Sequence, residues 1–105
     1  MLFVETPIFT RSVCEHLDDE QYRRLQLALL LRPEQGAVIK GGGGLRKIRW
    51  GGGGSGKRGG LRVIYYWDRP SAVLYMLLVY SKHEQEDLTP SQLRLLSRLV
   101  KEEFK

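Results

Sequence analysis

Eight of the chain's 17 basic residues fall between Lys40 and Arg69: Lys40, Arg46, Lys47, Arg49, Lys57, Arg58, Arg62 and Arg69. One acid, Asp68, shares that stretch. Arginine forks bind phosphate oxygens in pairs, and lysines add point charge. Tyr65, Tyr66 and Trp67 lie within the same stretch and offer rings on which bases can stack. If Ile48 points into a core, strand alternation puts Lys47 and Arg49 together on the opposite face. The pattern fits a phosphate-rich ligand, with a merely solvated basic face as the plainer alternative. Cleavage of RNA by attack of a 2′-hydroxyl on the adjacent phosphorus needs a base, an acid and stabilisation of charge on phosphorus. Arg49 and Arg62 suit the last role. Lys47 and Lys82 are candidates for proton exchange. His83 reads either as a surface histidine or as a contact with RNA. His16, with no motif around it, reads as structural or solvated. Glu84, Glu86 and Asp87 read as solvated rim positions.

The same region contains Gly51-x-x-x-x-Gly56-Lys57, close to a phosphate-binding P-loop. A P-loop needs Ser or Thr after the lysine and a helix whose N-terminus faces the phosphates. Arg58 stands in that place, and "GGLRVIYYW" reads as a strand. "GGGGSG" has the composition of a flexible linker, so a hairpin loop carrying Lys57 and Arg58 beside a ligand is the expectation.

The elements that must position these residues are legible around them. "LFVE" reads as a short strand. Thr6-Pro7 is an N-cap followed by proline at the first helical position, with Ile8, Phe9, Val13 and Leu17 as the helix's apolar stripe. Cys14 is expected as a small buried residue within it. Asp18 with Gln21 forms a capping box for a second helix, which faces inward through Tyr22, Leu25, Ala28 and Leu29 and stops at Pro33 and Gly36. "AVIK", "LRKIRW", "LRVIYYWD" and "AVLYMLLVYSK" are β-branched and aromatic runs, closely enough spaced for an antiparallel meander. The longest, apolar almost throughout, is expected at the centre of the sheet. Tyr65, Tyr66, Tyr75 and Tyr80 are expected to divide between core and surface. Thr89-Pro90-Ser91-Gln92 starts a closing helix with Leu93, Leu96, Val100 and Phe104 on one face.

The whole chain bounds the reading further. Its 105 residues suffice for one small domain, residues 1–105, with one hydrophobic core. A net charge of +5 and a pI near 9.6 suit an anionic partner. A single cysteine leaves no intrachain disulfide and makes a cysteine zinc site an unpromising reading. No apolar run approaches the ~20 residues of a membrane span, and "MLFVETPIF" lacks a basic leader, so a cytoplasmic protein is expected.

"GGLRKIRW", "GKRGGLRVIYYW" and "VYSKHEQEDLTPSQLRLL", with "VETPIFTRSV" near the start, together resemble HigB-type toxins of the RelE/ParE superfamily. The resemblance spans nearly the whole chain. It implies an α+β, RelE-like fold: two N-terminal helices packed on a twisted, mainly antiparallel sheet, with a C-terminal helix. It implies a ribosome-dependent endoribonuclease that cleaves translated mRNA without metal or cofactor. It also implies a cognate antitoxin, often with a helix-turn-helix domain, and a toxin monomeric on its own. By motif, Lys47, Arg49, Arg62 and Lys82 take the family's basic catalytic positions. His83 departs from the family pattern beside Lys82, as does the block Gly51 to Gly54. Arg46, Lys57, Arg58 and Tyr65 are expected to bind RNA. Two other readings stay open: a ParE-like inhibitor of DNA gyrase, from which the basic sheet residues point away, and a non-catalytic RNA-binding domain.

Overall fold

The computed structural model describes residues 2–51 and 60–104. A strand, β1 (Leu2–Glu5), leads into two helices, α1 (Pro7–His16) and α2 (Asp19–Leu31). Four strands come next: β2 (Ala37–Val38), β3 (Leu45–Trp50), β4 (Leu61–Asp68) and β5 (Val73–Ser81). The last helix, α3 (Pro90–Leu99), continues as a π-helical turn over Val100–Phe104. All three helices start where the sequence places them. The Thr6 hydroxyl accepts from Phe9 N, and Asp18 and Thr89 form complete capping boxes with Gln21 and Gln92. Thr6 also donates its hydroxyl proton to Leu77 O at 2.8 Å, fastening the start of α1 to β5.

The sheet order is β1-β5-β4-β3-β2, with β1 parallel to β5 and every other pair antiparallel. The centre is therefore β4, not the longer β5 expected there. β1 pairs only with the first half of β5, from Leu2↔Val73 to Glu5↔Met76. Helices cover both faces, which is why β4 is apolar on both. Phe9, Val13, Leu25 and Leu29 pack on the face carrying Ile48, Val63 and Tyr65. Leu96 and Val100 pack on the opposite face, against Leu45, Ile64, Tyr66 and Leu77. Cys14 is exposed, contrary to expectation: it comes directly after Val13, and one helical step of about 100° carries it off the Phe9–Val13 stripe. Ile8 also lies off that stripe, half exposed.

A register shift in the β4–β5 pair has a large consequence. Tyr65 lies opposite Met76, but Ile64 lies opposite Leu78, so Leu77 is an extra residue on β5. A one-residue slip moves every subsequent side chain to the other face. Beyond the bulge Val79 joins the α1–α2 face, while Leu78 and Tyr80 join the α3 face, with Tyr80 directly opposite Arg62.

Candidate nucleic-acid interface

Strand β3 splits its basic residues between two faces. Leu45 packs with α3 and Ile48 with α1 and α2, so Lys47 and Arg49 take the α3 face and Arg46 the other. On that face Arg49, Arg62 and Tyr80 align as direct cross-strand partners over three strands, with Lys47, Ile64 and Leu78 in an adjoining row. Arg49 is exposed and Arg62 half-buried. Like charges placed directly opposite each other destabilise a strand pair, so the Arg49–Arg62 pair favours an anion between or above the two forks.

One carboxylate joins this cluster. Asp87 Oδ1 accepts from Leu88 N at 2.8 Å and from Lys47 Nζ at 3.2 Å. The Leu88 N–H first, then the Lys47 contact and more weakly the Arg62 charge, hold its carboxyl below the ordinary range. Gln85 Nε2 donates to Asp87 O and to Gln92 Oε1, both at 2.8 Å, tying the Asp87 turn to the capping box of α3. A groove of about 420 Å³ opens beside the pair, between Val38, Ile39 and Lys40 on one side and Leu88 and Leu93 on the other.

Tyr80 completes the row. It is 4 % exposed, and its hydroxyl has no hydrogen-bond partner among the described residues. Burial, and secondarily Asp87, push the phenol upward, with Arg62 opposing, so the group remains a neutral donor. Lys82 and His83 are exposed on the turn after β5, at the same end of the sheet as Arg49 and Arg62. The Lys82 N–H donates to Gly60 O at 3.0 Å. Glu84 braces this turn: its Oε1 accepts from Ser81 N at 2.7 Å and meets His16 Nε2 at 3.2 Å. Its carboxyl is lowered chiefly by the Ser81 N–H, with the His16 charge a smaller cause. His16 is thus structural, linking α1 to the turn.

Other expected contacts are placed elsewhere. Tyr65 is fully buried and cannot stack on a base; its hydroxyl accepts from Gly36 N at 2.9 Å and donates to Pro33 O at 2.7 Å. Arg46, on the same α1–α2 face, donates from Nη1 to Glu34 O and Gly36 O, both at 2.8 Å. These two residues latch the α2–β2 connection, where a Cβ at Gly36 would come within 2.8 Å of the Tyr65 ring. Tyr66 is buried and stacks on Tyr75 with ring centroids 6.3 Å apart, and Trp67 packs half-buried on the α1–α2 core. The aromatic run after Arg62 therefore serves packing, because β4 is the strand covered on both faces. Lys57 and Arg58 lie outside the described residues, as does most of the near-P-loop. The first described element after it is the strand β4, where a phosphate cradle would have the start of a helix.

No sequence motif points to Tyr80 or Asp87 as a member of this cluster. Nothing in "AVLYMLLVYSK" marks the bulge that reverses the strand's faces. The signal for Asp87 was its place two residues before the Thr89 cap, which fixes it beside the helix start.

No family model matches the sequence. Among solved structures the chain is similar to a mutant of the E. coli toxin RelE in the free state. The two share 16% sequence identity, with a TM-score of 0.58 over 81% of this chain and 86% of that one. A mixed sheet with two N-terminal helices on one face and a closing helix on the other is thus a RelE-like fold.

Proposed function

We propose that this protein is a HigB-type, ribosome-dependent endoribonuclease toxin, a single catalytic domain that cleaves translated mRNA in the cytoplasm and is neutralised by an antitoxin. The observation that carries the reading is the Arg49–Arg62 pair, set directly cross-strand beside Lys47–Asp87 in a RelE-like fold. In the proposed reaction the 2′-oxygen bonds to phosphorus and the bond from phosphorus to the 5′-oxygen breaks. A 2′,3′-cyclic phosphate and a 5′-hydroxyl result. The 2′-hydroxyl proton leaves to a base, and a second proton reaches the departing oxygen. Arg49 and Arg62 would hold the phosphate and the charge that builds on it. Lys47, Lys82 and His83 are the candidates for proton traffic, with Asp87 keeping the Lys47 ammonium in place. The groove beside Lys47 would receive a neighbouring nucleotide.

Ribosome dependence has its own support. Lys82 and His83 sit on an exposed turn rather than in a closed pocket, so little at the site fixes the substrate in line. A larger machine that presents the mRNA would supply that order. The proposed antitoxin carries a helix-turn-helix domain, and the toxin alone is monomeric. Mapping new mRNA 5′ ends in a reconstituted translation system, with and without ribosomes, tests the reading. Cuts confined to ribosome-bound mRNA are expected. Intact mRNA with inhibited DNA gyrase would instead establish a ParE-like role.

A further inference from the structure

We propose that the Tyr80 hydroxyl is a hydrogen-bond donor held for a non-bridging oxygen of the scissile phosphate. The inference rests on the endoribonuclease reading and assigns it a further catalytic group.

Three observations converge on it. The hydroxyl is buried and unpartnered among the described residues, and such a group costs stability that a folded protein rarely leaves unrecovered. Tyr80 lies directly opposite Arg62, itself directly opposite Arg49, so the phenol extends the arginine row by one strand. It reaches that row only through the bulge at Leu77; in unbroken register Val79 would face Arg62. A bulge beside a candidate site, re-aiming one side chain, is a recurrent device in functional strands.

The chemistry of the surroundings selects the ligand. Asp87, the anion acting on the phenol, already spends Oδ1 on Leu88 N and Lys47 Nζ. The phenol keeps its proton, so it offers a donor to an incoming acceptor, and Arg62 favours an anionic one. A phosphate oxygen meets both requirements. Arg49 and Arg62 would carry its charge while Tyr80 fixes its orientation.

The test is Tyr80→Phe, which removes one oxygen and keeps the ring. Single-turnover cleavage of ribosome-bound mRNA is measured at saturating ribosome concentration, alongside urea unfolding. The expected result is a saturated rate lower by on the order of 100-fold with an unchanged or higher unfolding midpoint, since no hydrogen bond to a described residue is lost. A structural role predicts the opposite pattern, a lower midpoint with the rate per folded molecule preserved, and that result would overturn the proposal. Wild-type cleavage matched by an equally fast Tyr80→Phe would overturn it while leaving the endoribonuclease reading intact. Wild-type protein that cuts no ribosome-bound mRNA would defeat the reading and the proposal with it.

Discussion

Tyr65→Phe distinguishes a latch from an RNA contact. The Tyr65 hydroxyl accepts from Gly36 N, donates to Pro33 O, and is carried by a fully buried ring. Removing it strands the Gly36 N–H, on a buried residue with little access to water, while the half-buried Pro33 carbonyl can recover part of its loss from solvent. An unsatisfied buried group costs about 1–3 kcal/mol, and the replacement makes no cavity beyond the lost oxygen. Each kcal/mol lowers Tm by about 4–8 °C in a domain of this size, so the expected fall is roughly 5–20 °C. Urea unfolding followed by far-UV circular dichroism should show the same loss with an unchanged denaturant slope. Saturated cleavage per folded molecule should match wild type. Unchanged stability with lost cleavage would refute the latch and return Tyr65 to the RNA.

The charges at the site lead to two further outcomes. Asp87 has a lowered carboxyl, so its contribution to stability is present above the ordinary carboxylate range and is lost as pH falls through its folded value. The stability gap between wild type and Asp87→Asn should therefore be constant near neutral pH and close on acidification; a gap that persists in acid would contradict the Lys47–Asp87 pairing. Affinity for a short RNA should fall steeply with salt, because phosphate neutralisation by the sheet's basic residues releases counterions. Affinity that holds between 50 and 200 mM salt, the range over which phosphate-driven binding declines, would argue against a phosphate-binding face.

Local signals in the sequence carried much of the fold. The caps at Thr6, Asp18 and Thr89 are short-range chemistry that tertiary context leaves in place. The alternation of "LRKIRW" likewise placed Lys47 and Arg49 together, because Leu45 is the one apolar residue on the face of β3 that carries them. Legibility stopped where residues on both faces were apolar. In β4 and β5 period-2 alternation carries no information, so the burial of Tyr65 and Tyr66 and the bulge at Leu77 left no trace. Tyr80's role is hidden for that reason. Asp87 was hidden for another: its partner Lys47 lies 40 residues away, and the contact exists only once α3 is docked.

In the proposed reaction the arginine row stabilises charge on a cleaved phosphate. Arg62→Ala removes one member of that row, and its effect is read by single-turnover cleavage of ribosome-bound mRNA at saturation, with circular dichroism to verify folding. Loss of one such donor costs about 2.7–4 kcal/mol of transition-state stabilisation. The expected result is a saturated rate lower by on the order of 100- to 1,000-fold in a folded protein that still associates with ribosomes. A folded Arg62→Ala variant that cleaves at the wild-type saturated rate would contradict it.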